Sequence, residues 1–454
     1  MMLPKDFIES TRATFGESLW EQYLGAFDVP APVSIRLNRR KAAADMIVYE
    51  KEKVAWCADG FYLSERPQFT FDPLMHAGAY YVQEASSMFL HHVLKHVVGK
   101  ESLLMIDMCA APGGKSTLAC SILPEGSMLV SNEPVPQRAS ILAENAQKWG
   151  MPNIVVTNNY PRDLRRTGIV ADIVLCDVPC SGEGMFRKDE ATISEWSMQN
   201  VEKCSTLQRE IVSEAWQCLK QNGIMIYSTC TFNTRENEEN VKWICDNLDG
   251  EVIEIPIEKE WNITGSLLEG FDKPVCRFIP GHARGEGLFM CAIRKKGECT
   301  QRMPKMKPQN KEKATTEWLT NPQEYIVEQN GQTVSATPKA WLPLVKHLTN
   351  ELRVIHAGIR LGTVKGKDII PDQCLALSTE LKSDAFATAE VDWQTAIAYL
   401  RKEAIMLPAD TPRGHVLLTY RQMPLGFVKN LGNRANNLYP AEWRIKTTHI
   451  PNWS

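Results

Sequence analysis

At 454 residues the chain exceeds a single ordinary domain, and 44% hydrophobic with 23% charged residues is a globular composition that excludes a disordered or fibrous polymer. A formal net charge of −3 excludes a uniformly basic nucleic-acid binder, so any affinity for nucleic acid must come from local patches. The 13 cysteines include no Cys-x-x-Cys pair, so neither a zinc knuckle nor a thioredoxin-type site is expected, nor any metal. The start, Met1-Met-Leu-Pro-Lys5-Asp6, lacks an apolar signal region and no apolar run approaches membrane-spanning length, so the expectation is a reduced, cytoplasmic protein without membrane association.

Taken in chain order, Arg36, Arg39, Arg40 and Lys41 form a first basic cluster. The apolar run from Leu103 to Ile106 then reaches Asp107, followed by a loop from Met108 to Lys115 and a helical stretch from Ser116 with Leu118, Ile122 and Leu123 on one side. This is strand, glycine turn, helix. Gly113 and Gly114 let the backbone approach a ligand, and the helix start offers free N–H groups to a carboxylate. A second strand, Met128 to Ser131, ends at Glu133, 26 residues after Asp107, where a carboxylate can accept both hydroxyls of a ribose. A tight turn with a helix cap would explain the glycines alone, whereas Glu133 at this offset points to an adenosine-type cofactor.

Residues Ile154 to Thr157, Asp172 to Asp177 and Gly223 to Tyr227 read as further buried strands separated by helical patterns. Within Val201 to Leu219, Leu207, Ile211 and Ala215 recur every four residues, with Glu210, Glu214 and Lys220 off that stripe. The alternation predicts a mostly parallel, doubly wound sheet whose ligands lie beyond the carboxyl ends of its strands, with Asp107, Glu133, Asp177 and Cys230 on that rim. Two cysteines close such strands, Cys180 in Asp177-Val178-Pro179-Cys180-Ser181-Gly182 and Cys230 in Ser228-Thr229-Cys230-Thr231. Both are expected to face one cleft, and a thiol beside a cofactor suggests covalent catalysis. Cys120, Cys176, Cys204, Cys218 and Cys291 read instead as small hydrophobes, and Cys109 as a packing residue whose backbone borders the cofactor.

Arg294 to Lys313 carries eight Lys or Arg against two Glu, together with Pro304 and Pro308, and reads as a linker that is either a solvated hinge or a phosphate-tracking segment. Beyond it, Glu351 to Pro371 alternates short strands with glycine turns at Gly358, Gly362 and Gly366, a second such run spans His415 to Arg421, and Asp392 to Lys402 between them looks helical. From Arg413 onward Arg413, Arg421, Lys429, Arg434, Arg444 and Lys446 stand against Glu442 alone.

Asp107-Met-Cys-Ala-Ala-Pro-Gly-Gly-Lys115, Asp177-Val-Pro-Cys-Ser-Gly182 and Ser228-Thr-Cys-Thr231 together resemble the motifs of the cytosine carbon-5 RNA methyltransferases of the NOL/NOP/Sun family, in order and at spacing. Pro32-Val-Ser-Ile-Arg36-Leu-Asn38, Gly78-Ala-Tyr-Tyr-Val-Gln83-Glu-Ala-Ser86-Ser-Met88 and His282-Ala-Arg-Gly-Glu-Gly287-Leu-Phe289 extend the similarity over at least residues 30 to 295. Gly358-Ile-Arg-Leu-Gly362-Thr-Val-Lys-Gly366 and Pro424-Leu-Gly426-Phe427-Val-Lys429-Asn-Leu-Gly432-Asn-Arg434 resemble the PUA-like C-terminal domain of the bacterial small-subunit ribosomal RNA members, which implies that the basic C-terminal end touches RNA.

The resemblance implies S-adenosylmethionine as cofactor, Cys230 as the nucleophile at carbon 6 of cytosine, Cys180 as the residue that resolves the adduct, and Asp177 near ring nitrogen 3 of the base. Only about 3% of an unperturbed thiol is ionised at neutral pH, so such a site must favour the thiolate. The implied cofactor residues are Cys109, Ala110, Ala111, Pro112, Gly113, Gly114, Lys115, Glu133, Arg138, Asn159 and Asp177. Lys115 is either a helix-start residue or a partner of Asp177 or of the methionine carboxylate. Arg138 either braces Glu133 or belongs to a solvated helix face. Where the family commonly has an aspartate against the adenine amino group, Asn159 falls in register, with Asn158 and Asp163 as alternatives.

The expected fold is α/β, a Rossmann-like methyltransferase domain (96–297) between an N-terminal α+β, substrate-binding subdomain (1–95) and, after a basic connector (298–340), a C-terminal β-rich PUA-like module (341–454). The expected function is methylation of carbon 5 of a cytosine in 16S ribosomal RNA, by a monomer whose partner is that RNA or the small ribosomal subunit. The alternatives are the same chemistry on transfer RNA and a non-catalytic RNA-binding assembly factor, against which the retention of both thiols argues.

Overall fold

The structure is a computed structural model that describes residues 3–299, 301, 317–447 and 449. Its centre is built from apolar runs that would leave a face wet in any thinner arrangement, so they lie side by side and are covered on both faces. Ile154–Thr157, Met128–Asn132, Leu104–Asp107, Ala171–Asp177 and Leu219–Thr229 are parallel neighbours in that order. Leu288–Lys295 continues the sheet antiparallel to Leu219–Thr229, and Gly250–Ile253 follows it. Helices Phe89–Val97, Gly114–Ile122 and Pro136–Trp149 bury apolar side chains on one face, and Met198–Gln217, Glu238–Leu248 and Leu342–Glu351 on the other. The chain runs outward from Leu104–Asp107 and then returns to Ala171–Asp177 on its other side. That reversal opens a crevice between Asp107 and Asp177.

The doubly wound sheet agrees with the sequence pattern, and the helix of residues 198–217 buries Ile211 and Ala215 as expected. Leu207 is instead 42% exposed, and the buried stripe runs through Val201, Ser205, Gln208, Ile211 and Ala215. The polar Gln208 therefore lies inward, where it meets the cysteine loops.

The N-terminal part forms a four-stranded sheet ordered Lys51–Lys53, Gly60–Leu63, Val33–Leu37 and Tyr80–Val82. Helix Lys5–Gly25 bends at Gly16 and stacks Phe7, Phe15, Trp20 and Tyr23 on Phe186, Trp196 and Phe232. The first basic cluster is not a surface patch. Arg36 is 1% exposed, and the Lys41 ammonium is spent on the carbonyls of Ala77 (3.0 Å) and Lys148 (2.7 Å), with burial pushing its pKa down to about 7. Arg39 pairs with Asp59 at 2.7 Å. Arg40 is exposed.

Of the stretch expected to be a connector, residues 302–316 lie outside the described residues, whereas Tyr325–Asn330 and Thr333–Pro338 form a hairpin that joins Ile359–Lys365 and Asp368–Pro371 in a four-stranded sheet. Gly362 is not a turn. It sits inside Ile359–Lys365, where a Cβ would meet the Ile370 carbonyl oxygen at 2.4 Å, so the glycine permits close strand approach. Gly358 and Gly366 do take positive φ, 62° and 66°. A second four-stranded sheet, Ala387–Glu390, Gly414–Tyr420, Met423–Asn430 and Ala435–Asn437, shares one core with the N-terminal sheet. Val354–Ala357 pairs antiparallel with Ile154–Thr157 and completes the central sheet, so the C-terminal part is packed into the body of the molecule. No helix among the described residues is long and apolar enough to cross a membrane.

Candidate active site

The loop after Asp107 crosses the crevice because Gly113, at φ 114°, turns the chain into helix Gly114–Ile122. A Cβ on Gly114 would meet Tyr81 at 3.3 Å and Gln83 at 3.6 Å, so the N-terminal strand closes over the loop. Between them lies a cleft walled by Tyr81, Gln83, Glu84 and Ser87 on one side, and by Asp107, the loop residues Cys109 to Pro112, Gly114, Lys115 and Asp177 on the other. Arg36 fixes this junction. Its Nε donates to Oε1 of Gln83 (2.8 Å) and its Nη2 to the Thr117 hydroxyl (2.7 Å), and its guanidinium lies 4.3 Å from the Trp149 ring centroid.

Two buried carboxyl groups are left with an unsatisfied oxygen. Glu133 accepts the Val135 N–H on Oε1 at 3.0 Å, while Oε2 has no hydrogen-bond partner and stands 3.6 Å from Arg138 Nη1. Arg138 also donates to the Ala111 carbonyl at 3.1 Å, so it braces both the carboxylate and the loop. Asp107 accepts the Ser116 hydroxyl on Oδ2 at 2.6 Å, and its Oδ1 is unpartnered. Burial, opposed by the Ser116 hydrogen bond and reinforced by Asp177, pushes the Asp107 carboxyl up to about 7. A buried unpaired oxygen is costly unless a ligand supplies the missing donor. The pair therefore fits a ligand with a diol at one end and a cationic or hydroxyl donor at the other. Sequence reasoning placed Asp107 on the rim but gave it no role; its position at the strand end, directly before the loop, was the available signal.

Lys115 Nζ donates to Asp177 Oδ2 at 2.8 Å, which settles its pairing. Burial lowers the Lys115 ammonium pKa, but Asp177, with smaller contributions from Cys230 and Asp107, outweighs it and the pKa is raised. Burial, together with the Asp107, Asp177 and Glu133 carboxylates, holds the Cys109 thiol well above its ordinary range, so it stays neutral. Asn159, the residue in register with the adenine amino group, donates its amide to the Arg353 carbonyl and accepts the Arg353 N–H on its oxygen, both at 3.2 Å, just before the edge strand Val354–Ala357. Asn158 donates to the carbonyls of Glu133 and Pro134 at 2.8 and 2.9 Å, and Asp163 accepts the Tyr160 N–H at 3.1 Å.

The loops after Ala171–Asp177 and Leu219–Thr229 bring Cys180 Sγ to 2.9 Å from Cys230 Sγ, and the Cys230 N–H lies 3.3 Å from the Cys180 sulfur. The hydrogen bond with Cys230, and then burial, hold the Cys180 thiol well above its ordinary range, so Cys180 keeps its proton and can donate it toward the Cys230 sulfur. Beneath them Glu183, Glu236, Asn233 and Gln208 form a buried polar network. Sequence reasoning missed these four, because a polar residue in an apolar stripe or a loop reads as solvated. Among the described residues no group of three or more His, Cys, Asp or Glu could hold a metal ion.

Comparison with known proteins gives the family. Residues 94–294 match the family described as 16S rRNA methyltransferase RsmB/F, residues 3–85 the N-terminal domain of 16S rRNA methyltransferase RsmF, and residues 386–445 the methyltransferase RsmF PUA domain. The ribosomal RNA small subunit methyltransferase F of Photobacterium profundum is 30% identical over 97% of both chains, and that of Escherichia coli O9:H4 is 28% identical over 97% of this chain and 96% of its own. Among solved structures, NSun6 from Pyrococcus horikoshii with SFG has the same fold, with a TM-score of 0.56 at 20% identity over 65% of this chain and 99% of that one. A methyltransferase homolog protein from Pyrococcus horikoshii gives 0.52 at 25% identity, over 64% and 100%. With a relative aligned nearly end to end and matches to three regions in order, the chain belongs to the 16S rRNA methyltransferase RsmB/F family and carries RsmF-type N-terminal and PUA domains.

Proposed function

We propose that the protein methylates carbon 5 of a cytosine in 16S ribosomal RNA, in the cytoplasm, using S-adenosylmethionine and a transient covalent bond to Cys230. The observation that carries this reading is the 2.9 Å approach of the Cys180 and Cys230 sulfurs beside the Lys115–Asp177 pair, since binding RNA alone requires neither thiol. The free oxygens of Glu133 and Asp107 suit the ribose diol and the methionine ammonium of the cofactor, with Cys109 to Lys115 supplying the backbone cradle. When bound there, S-adenosylmethionine supplies the methyl group on a sulfonium.

Carbon 5 of cytosine is a poor nucleophile. Cys230 Sγ, as thiolate, adds to carbon 6, and the electron pair released toward the ring makes carbon 5 nucleophilic. Asp177, held by Lys115 on Oδ2, presents its other oxygen to the base edge, and a proton carried there and passed toward nitrogen 3 neutralises the negative charge that addition places on the ring. Once the Cys230 sulfur is bonded to carbon 6, the hydrogen bond that held the Cys180 proton is gone; after methylation Cys180, as thiolate, takes the carbon 5 proton, the double bond re-forms and Cys230 departs as thiolate. The exposed basic residues of the C-terminal module, Arg413, Lys429 and Arg434 among them, meet the phosphate backbone.

Denaturing gel electrophoresis with 16S ribosomal RNA tests the assignment. Cys180→Ala should accumulate a slow-migrating protein–RNA band, and Cys230→Ala and the double variant should form none. A band with Cys230→Ala but not with Cys180→Ala reverses the roles, and full activity in both variants removes covalent catalysis by this pair.

A further inference from the structure

The two cysteine loops are tied to each other by two buried glutamates, each reaching into the opposite loop. Glu183, three residues after Cys180, accepts on Oε2 the Thr231 hydroxyl (2.5 Å) and the N–H groups of Phe232 (2.7 Å) and Asn233 (2.9 Å), all from the Cys230 loop. Glu236, six residues after Cys230, accepts on Oε2 the N–H of Ser181 (3.0 Å), from the Cys180 loop, and Gln208 Nε2 (2.7 Å). The Asn233 amide joins the two carboxylates, at 3.0 Å from Oε1 of Glu183 and 2.8 Å from Oε1 of Glu236. The Ser181 and Thr231 hydroxyls, each directly after its cysteine, are 2.9 Å apart, and the Gly184 N–H donates to the Cys230 carbonyl at 2.8 Å.

Glu183 is 2% exposed and Glu236 fully buried, and every donor to them is neutral. Burial pushes the Glu236 carboxyl up to about 7, and two buried carboxyl groups without a cation are an expensive way to hold a core together, where apolar side chains of similar volume would do so at lower cost. What they provide instead is direction. Each carboxylate fixes backbone N–H groups of a loop that carries a reactive sulfur, and reactive groups displaced by about 1 Å lose roughly 100-fold in rate.

We propose that Glu183 and Glu236 are positioning residues that set the approach of the Cys180 and Cys230 sulfurs by cross-bracing the two loops; the proposal rests on the covalent reading of the site. Glutamine at either position keeps the volume but turns one oxygen into an NH2 group. At 183 that group faces either Trp196 Nε1–H and Asn233 Nδ2–H or the Phe232 and Asn233 N–H groups; at 236 it faces either Asn233 Nδ2–H or the Ser181 N–H. On the Oε2 side the NH2 group breaks the bonds across the loops, and on the Oε1 side it breaks the Asn233 link between the two carboxyls, so part of the brace is lost in either orientation.

The test reads sulfur approach without any methyl transfer. The full-length protein is treated with diamide, which takes two electrons and two protons from a thiol pair and leaves a disulfide, and the Cys180–Cys230 bridge is timed by peptide mass mapping. In wild type the bridge should form readily, and in Glu183→Gln and Glu236→Gln at least about 10-fold more slowly, while calorimetric affinity for S-adenosylmethionine stays within about two-fold. In a Cys180→Ala background the same substitutions should weaken the protein–RNA band. Should the glutamine variants not fold, Asn233→Ala, which removes the shared amide and leaves both carboxylates, is read in the same way. Unchanged bridging in the variants overturns the proposal, as does a parallel loss of bridging and cofactor affinity, which would assign the glutamates to general stability. If the variants lose bridging while the Cys180→Ala protein forms no adduct with 16S ribosomal RNA, the covalent reading falls and the brace stands.

Discussion

Arg36 Nη2 donates to the Thr117 hydroxyl at 2.7 Å, so the N-terminal sheet is bolted to the first turns of the helix that follows the cofactor loop. The guanidinium is fully buried, and desolvation pushes its pKa down to about 10, yet it remains charged at neutral pH. Arg36→Ala removes the donors to Gln83 and Thr117 and the packing on Trp149, and should cost about 2–4 kcal/mol. Urea denaturation of the full chain measures it, and an unshifted midpoint would show that the bolt carries no strain.

Glu133→Ala should weaken S-adenosylmethionine binding by about 1–3 kcal/mol, because the ribose diol loses a buried acceptor. Isothermal calorimetry reads the loss directly. Equal affinities in the two proteins would remove Glu133 from the cofactor site.

The Asp107 carboxyl, pushed up to about 7 by burial from an ordinary value of 3.8, gives a pH signature. Its folded pKa lies above its unfolded one, so the native state binds more protons between these values, and this group's contribution to stability is full below about 4 and is lost as pH rises through about 7. Buried His76 and His356, both pushed down to about 3 by burial, act in the opposite sense, so the slope of the wild-type protein alone is not diagnostic. The difference is. Cofactor-free Asp107→Asn should gain stability relative to wild type as pH is raised from about 4 to 7, by no more than about 4 kcal/mol, and stay level above that. A difference independent of pH would mean that Asp107 is ionised throughout.

For the C-terminal module, charge reversal is cleaner than truncation, because Leu344, Val345 and Leu348 lie in the core of the central sheet. Arg413→Glu, Lys429→Glu and Arg434→Glu, at exposed positions, should lower RNA affinity and reduce the slope of log affinity against log salt by about 1 for each phosphate left unneutralised, without changing cofactor affinity. Filter binding across a salt series decides it, and a constant slope would assign the module another task.

The parallel core was legible because its strands are apolar runs separated by helical periodicity, and the cysteine loops because their residue types serve little purpose in a core. The supports of the site were hidden for the converse reason. Gln208 and Glu236 are polar residues at buried positions, and a pattern that assigns polar to outside puts Leu207 inward in place of Gln208. Arg36 and Lys41 were misread on the same logic, since a run of cations looks solvated until the carbonyls that receive it come from elsewhere in the chain. The bonds that Asn159 makes with the Arg353 backbone were hidden because that residue, just before the edge strand, is 194 positions away.

That distant strand also orders events during synthesis. Until residues 354–357 emerge from the ribosome, Ile154–Thr157 is paired only with Met128–Asn132, and the free N–H and C=O groups of its outer edge are a template for any other extended chain. Arg353 donates to and accepts from the Asn159 amide and accepts the Asn158 N–H, so the turn that follows Ile154–Thr157 is completed only then. A nascent or truncated chain that stops short of this strand would carry both cysteines and the glycine loop while one edge of its central sheet stayed open to other extended chains.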